Sequence, residues 1–181
     1  MWWAALALPI VLAGGCVLAF ALQAPTWRVA RSRTIHASPE RVRDVLSDVR
    51  AFAACCGPAE ARAPAGAVTF SETSRGVGAW LEWGAPGARE RGTIETVGPT
   101  RMTMRYDVAG RVSHQIVDWR PVGAGGTEVT WAHEGDKSGI VQRLVWPVAG
   151  LERRVGGSIE TALASLARVA AATPAPSLPA Q

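Results

Sequence analysis

The sequence is poor in residues that bind metals or act as nucleophiles. Its three histidines, His36, His114 and His133, lie far apart and have no cysteine or histidine at a zinc-site spacing. It also lacks a phosphate-binding loop, a dinucleotide-binding glycine pattern and a nucleophile elbow. We therefore predict no metal site and no cofactor, and we assign no catalytic residue.

Cysteine is scarce as well. Cys16 lies in an apolar segment, and Cys55 and Cys56 are neighbours in the chain. Adjacent cysteines rarely bridge each other because the geometry is strained, so we expect both to be packed thiols. Three cysteines without an even, spaced framework do not point to an oxidising compartment.

Lysine is almost absent, and the net charge of +4 rests on arginine. No run of five basic residues occurs, so the composition does not favour a nucleic-acid partner. The one local cluster is Arg28, Arg31 and Arg33. It directly follows an apolar segment, and we interpret it as flanking a membrane.

Charge is missing altogether from Trp2 to Leu22. At about 1.5 Å per residue this segment spans roughly 31 Å, the thickness of a bilayer core. A cleaved signal peptide would need a positive amino-terminal region and a shorter apolar core. A lipoprotein box ending at Cys16 would be imperfect, and the apolar run continues past it. We expect residues 1–25 to be an uncleaved single-pass anchor, with the domain on the cytoplasmic side.

The remaining chain predicts one α+β domain. Trp27–His36 is typical of a strand, and Ser38 and Pro39 are a helix N-cap and first turn, predicting a helix over 39–50 and a short second one over 51–56. Apolar residues at helical spacing predict a long helix from Ile140 to Ala171, followed by a disordered tail at 173–181. Between them, period-two patterns and Gly-rich turns predict six strands of an antiparallel meander: Ala67–Thr73, Val77–Trp83, Arg89–Val97, Arg101–Val108, Val112–Val122 and Glu128–Glu134.

Three segments resemble those of a known superfamily: Thr34–Val42 (TIHASPERV), Gly76–Trp83 (GVGAWLEW) and Gly125–Trp131 (GGTEVTW). They are similar to the SRPBCC (START/Bet v 1-like) superfamily, most of all to its polyketide cyclase/dehydrase-like branch, many members of which carry an N-terminal membrane helix. The resemblance covers about residues 27–170. One departure is that 51–57 lacks the tryptophan common there, which implies an altered portal or cavity floor.

The resemblance implies a helix-grip fold over residues 26–172. In that fold a curved seven-stranded antiparallel sheet wraps around a long C-terminal helix and leaves an apolar cavity between them; here one transmembrane helix would precede it. Side chains two apart share a strand face, but the pattern alone does not say which face is inner. Our candidates for the cavity wall are Trp80, Met102, Met104, Tyr106, His114, Ile116, Trp131, Leu151 and Val155.

Several of these residues have a plainer interpretation. Met102 and Met104 also fit an ordinary core, and either Trp80 or Trp83 faces outward because they lie on opposite strand faces. We expect His133, beside Glu134, to be exposed near the strand end. The Gly156–Gly157 pair is compatible with close helix–sheet contact or with a loosened helix that acts as a gate.

Three classes of function remain open. The first is binding or transfer of a hydrophobic small molecule, such as a lipid, isoprenoid or quinone-like compound. The second is a polyketide cyclase- or dehydratase-like enzyme that uses His114, Tyr106 or Glu82 as acid–base groups. The third is a membrane interaction module with a vestigial cavity.

Overall fold

The computed structural model describes residues 15, 26–57, 68–85, 88–123, 125–137 and 150–172. Seven strands and three helices follow one another along these ranges. They are β1 (Thr26–Ile35), α1 (Pro39–Leu46), α2 (Val49–Cys55), β2 (Val68–Phe70), β3 (Trp80–Ala85), β4 (Ala88–Val97), β5 (Arg101–Val108), β6 (Arg111–Val122), β7 (Gly126–Asp136) and α3 (Leu151–Ala171).

The strands form one antiparallel sheet in the order β1-β7-β6-β5-β4-β3-β2. Strands β2 to β7 form a meander. Strand β1, which comes before the two short helices in the chain, pairs with β7 at the edge of the sheet. Thr127, fully buried, donates a hydrogen bond to the carbonyl of Ala37 at 2.6 Å and so ties β7 to the turn between β1 and α1. The predicted helix-grip architecture, a curved seven-stranded sheet with a long C-terminal helix, is confirmed.

The two sheet faces differ in chemistry. The inner face carries the core, including Met102, Met104, Val117 and Trp131, all fully buried. Most of the outer face is covered by ion pairs between neighbouring side chains. They are Arg28–Glu134, Arg89–Glu82, Arg91–Glu82, Arg101–Asp118, Arg105–Asp107, Arg120–Glu128 and His114–Glu95.

The two predicted short helices are present as α1 and α2, but the boundary between them lies earlier than predicted. Chain geometry is interrupted at Ser47 and Asp48, and the Asp48 carboxylate caps α2 by accepting hydrogen bonds from the backbone N–H groups of Arg50 and Ala51. A capping aspartate favours a new helix start over continuation. The prediction of one helix over 39–50 was therefore wrong at its end.

Strand β3 begins three residues later than predicted. Gly76 and Gly78 adopt positive φ angles of 81° and 84°, which strands do not accommodate. Arg75 instead forms an isolated antiparallel backbone bridge with Asp48. Its Nε atom also lies 3.1 Å from the Asp48 carboxylate, in an ion pair. The segment 71–79 is thus a loop that reaches α2.

Helix α3 packs most closely on β1. A Cβ at Gly156 would lie 2.4 Å from the guanidinium of Arg31 on β1, so the glycine leaves the space that this guanidinium occupies. The same guanidinium binds Glu160 at 3.0 Å. Gly156 thus leaves room for this arginine, whereas a Cβ at Gly157 would meet no described atom within 4 Å. The described helix begins at Leu151 after Gly150, which has a φ of 60°; the predicted portion at 140–149 lies outside the described residues.

The predicted anchor at residues 1–25 lies, apart from Gly15, outside the part of the chain that the structure describes, as does the tail at 173–181. Within the described ranges no helix is both long and apolar enough to cross a bilayer.

Candidate functional site

A cavity of about 430 Å³ lies between the inner face of the sheet and α3. Strands β3 to β7 form one wall, α3 forms another, and the end of α2 contributes the last described residues. The described lining consists of Cys56, Gly57, Trp83, Glu90, Tyr106, Val108, Ser113, Gln115, Trp131, His133, Ser158, Ile159 and Ala162.

Aromatic rings dominate the sheet side of the wall. Trp83 meets Tyr106 edge to face, with ring centroids 5.8 Å apart, and Tyr106 stacks on His133 at 6.2 Å. Gly92 lies between them on β4, where a Cβ would come within 3.1 Å of the Tyr106 ring. The absence of a side chain at Gly92 therefore lets Tyr106 lie across the strand towards Trp83.

The tyrosine hydroxyl is engaged inside the wall. It donates a hydrogen bond of 2.7 Å to the Oε1 atom of Gln115, and both residues are buried. Burial raises the pKa of Tyr106. Tyr106 is therefore a neutral donor at any physiological pH, and it holds Gln115 in place at the cavity.

His133 faces the cavity as an uncharged base. Burial lowers its pKa from 6.5 to about 4 because removing an imidazolium from water is unfavourable. At neutral pH its ring can both donate and accept a hydrogen bond. The expectation that His133 is solvent-exposed was wrong, since its side chain points inward beside Tyr106.

Two indole N–H groups are also buried at this wall. The Nε1 atoms of Trp83 and Trp131 have no hydrogen-bond partner within the described residues. Trp131 is held by Phe52 of α2, whose ring stacks on it at 6.0 Å. The wall thus combines apolar area with a few polar groups, as ligand cavities do.

Cys55 and Cys56 are joined by a disulfide, contrary to the expectation of two free thiols. They end α2, where the backbone leaves helical geometry at Cys56 with φ −130° and ψ −8°. Consecutive side chains splay apart within a helix, and this change of direction removes that obstacle. Both residues are buried, and Cys56 borders the cavity.

The structure brings together only part of the predicted wall. Tyr106 and Trp131 line the cavity. Met102 and Met104 share the inner face but are fully buried in the core, and they are not among the described lining residues. Whether Tyr106 and Trp131 contact a ligand stays a prediction.

Trp80, His114 and Ile116 lie on the opposite face, so placing them in the cavity was wrong. The guanidinium of Arg91 lies 4.4 Å from the Trp80 ring, and His114 pairs with Glu95 at 3.6 Å. Pairing of Ser113 with Tyr106 turns the odd-numbered residues of β6 inward. Leu151 and Val155 are partly buried on α3, but the described wall is formed one turn later, by Ser158, Ile159 and Ala162.

Sequence reasoning missed Gln115 and Glu90 and chose the wrong face of β6. The strand carries a usable signal, because Asp118 and Arg120 share a face with His114 and Ile116, whereas Val117 and Trp119 share one with Gln115. Charged residues at the far end of the strand mark the outer face. For Glu90 the local pattern Arg89-Glu90-Arg91 gave no such signal.

A sequence model of the family described as "Polyketide cyclase / dehydrase and lipid transport" matches residues 26–171. Among solved structures, protein CV1439 from Chromobacterium violaceum is 19% identical, with a TM-score of 0.56 over 81% of this chain and 99% of the other. Truncated norcoclaurine synthase from Thalictrum flavum is 13% identical, with a TM-score of 0.59 over 82% and 95%. A further match is the Aha1 dimer from Colwellia psychrerythraea, 12% identical, with a TM-score of 0.53 over 80% and 96%. These identities show a common fold. No curated protein matches the chain.

Proposed function

The chain belongs to the polyketide cyclase / dehydrase and lipid transport family, and from that premise we propose that it binds a hydrophobic small molecule in the cavity beneath α3. The observation that carries the proposal is the cavity itself, about 430 Å³ with Trp83, Tyr106, Trp131 and Ile159 in its wall. That volume is within the range of small-molecule sites, about 300–1,000 Å³.

The ligand we propose is a lipid, isoprenoid or quinone-like compound. Aromatic and aliphatic walls favour an apolar body, because each Å² of apolar surface removed from water contributes about 25 cal/mol. Gln115, His133 and Ser113 supply the few polar contacts that would fix its orientation.

We also propose that the apolar segment at residues 2–22 anchors the chain in a membrane and that the domain lies on the cytoplasmic side. The uncharged length of this segment and the arginines that follow it support the proposal. In the fold, Arg28 also binds Glu134 and Arg31 also binds Glu160, so the uncharged length of residues 2–22 is the observation that carries the anchor.

Reporter fusions at the C-terminus test the anchor and its orientation. We expect the full-length protein in the membrane fraction, release of the chain when residues 1–25 are deleted, and activity of a cytoplasmic reporter. Membrane association after the deletion would contradict the anchor. Activity of an exported reporter would contradict only the side.

The binding function is tested by blocking the cavity from α3. Ala162→Trp places an indole in the cavity, whereas Val169→Trp adds the same ring at a half-exposed position of the same helix. We expect solvent extraction and mass spectrometry to recover an apolar molecule from the wild type and Val169→Trp, and at least tenfold less from Ala162→Trp. Ser158→Trp, at an exposed position of the wall, repeats the test if Ala162→Trp does not fold. Equal recovery from all variants would contradict the proposal.

A second candidate is an enzyme that uses this cavity, and one observation favours it. His133, neutral at physiological pH, and the carboxylate of Glu90 border the same space, and both are groups that can accept a proton. His114 and Glu82, our earlier acid–base candidates, lie outside in ion pairs. Incubation of the recovered molecule with wild type and His133→Gln tests this. Chemical change by the wild type alone would establish catalysis, and an unchanged molecule would contradict it.

A further inference from the structure

Glu90 is the one carboxylate among the described residues that line the cavity. No lysine or arginine is among them, although the chain has 19 such residues. His133 adds no positive charge at neutral pH, because burial lowers its pKa to about 4. The described wall therefore carries one negative charge inside a protein whose net charge is +4.

Strand alternation separates Glu90 from its basic neighbours. Arg89 and Arg91 point to the outer face, where each binds the carboxylate of Glu82 at 2.8 Å. Arg91 is held there a second time by the Trp80 ring at 4.4 Å. Both guanidinium groups thus pair with Glu82 on the outer face, whereas Glu90 faces the cavity.

Within the described residues, the Glu90 side chain makes no ion pair or hydrogen bond, in contrast to Glu82, Glu128 and Glu134 on the outer face. A carboxylate beside apolar surface is stabilised by a cation or a hydrogen-bond donor. The described wall holds no cation, so a positively charged group on a ligand would be a favourable partner for Glu90.

The surroundings of Glu90 also suit a cation. Trp83 is its direct cross-strand partner on β3, and Trp83 contacts Tyr106 edge to face. The faces of tryptophan and tyrosine rings attract ammonium groups. A carboxylate next to such rings binds a ligand's ammonium group more strongly than it binds a neutral polar group of a ligand.

We propose that the cavity selects ligands that carry an alkylammonium group on an aromatic or other apolar body, with Glu90 as the residue that recognises the charge. This inference rests on the proposed binding function and narrows it. Fatty-acid carboxylates and phosphates are disfavoured at the same position, because the Glu90 carboxylate would repel them.

Three probes of similar shape separate charge from apolar binding: naphthylethylamine, naphthylethanol and naphthylacetate. Their affinities are measured by calorimetry at neutral pH on full-length protein in lipid nanodiscs, with empty nanodiscs subtracted. We expect the amine to bind about tenfold more tightly than the alcohol, and the carboxylate to bind more weakly than either. Glu90→Gln should lower the affinity for the amine about tenfold and leave that for the alcohol within twofold. Glu90→Asp should retain the preference.

Glu95→Gln is the matched control, because Glu95 is on the same strand but binds His114 on the outer face; it should behave as the wild type. Equal affinities for amine and alcohol, tightest binding of the carboxylate, or an unchanged preference in Glu90→Gln would each overturn the inference while leaving the cavity function intact. Failure of all three probes to bind more tightly to the wild type than to Ala162→Trp would overturn both.

Discussion

At the scale of single residues, the cavity wall depends on a histidine without charge and on a glycine without a side chain. His133 is uncharged at neutral pH, because burial beside Tyr106 lowers its pKa to about 4. Gly92 has no side chain, and this leaves room for the Tyr106 ring. These two residues show how a sheet accommodates both a polar group and a large ring at one apolar wall.

The shifted pKa of His133 predicts a pH-dependent stability. In the unfolded chain the imidazole gains a proton near pH 6.5, whereas in the folded protein it does so only near pH 4. The stability contributed by the neutral ring is therefore complete above pH 6.5 and is lost as the pH falls towards 4. Because the ring borders the cavity and is not fully enclosed, we expect this contribution to the free energy of unfolding to be roughly 1 to 2 kcal/mol. Urea unfolding of wild type and His133→Gln at pH 7.0 and 4.5 measures it.

Between pH 7.0 and 4.5 the free energy of unfolding should fall by roughly 1 to 2 kcal/mol less in His133→Gln than in the wild type. His114→Gln controls for removal of an imidazole from the outer face. The same loss of stability in the wild type and His133→Gln would show that the ring is protonated in both states.

At the scale of elements, side-chain capping decides where helices stop and start. Asp48 begins α2 by accepting hydrogen bonds of 2.9 and 3.3 Å from Arg50 and Ala51, and it also holds Arg75 of the loop before β3. Because α2 carries Phe52, which stacks on Trp131, this cap positions part of the cavity wall.

Replacing the cap should cost stability. We expect Asp48→Ala to lower the free energy of unfolding by about 1 to 2 kcal/mol, the range of a lost N-cap, measured by urea denaturation. Asp44→Ala removes a more exposed carboxylate, 3.9 Å from the same arginine, and should cost less than about 0.5 kcal/mol. Equal effects would mean that Asp48 acts through its charge on Arg75 and not as a cap.

At the scale of the whole molecule, the distribution of charge follows the fold. Arginines and acids pair across the outer sheet face, while the cavity keeps a single unpaired carboxylate on its described wall. Cys56, one of the two residues of the disulfide at the end of α2, also borders that space. Among the described residues, charges are thus paired over most of the outer sheet face, and one carboxylate without a partner borders the cavity.

The disulfide predicts a count of reactive thiols in the whole chain. Alkylation in denaturant without a reductant should add one label, at Cys16, and alkylation after reduction should add three. Intact-mass measurement distinguishes these results. Three labels without reduction would show that Cys55 and Cys56 are free thiols, as the sequence suggested.

Local patterns determined the order of strands and helices. Period-two and helical spacings, Gly-rich turns and the Ser38–Pro39 helix start depend on neighbours within a few residues, so the seven strands and the C-terminal helix could be predicted. Within the GGTEVTW segment, Thr127 ties β7 to the carbonyl of Ala37.

Tertiary structure decided which strand faces and which helix turn line the cavity. The inward turn of Gln115 and the outward turn of His114 follow from the pairing of β6 with β5 and β7 and from which face α3 covers. The isolation of Glu90 depends on the capture of Arg89 and Arg91 by Glu82 of β3. Such outcomes depend on strand register between distant segments, and a one-residue slip would reverse every one of them.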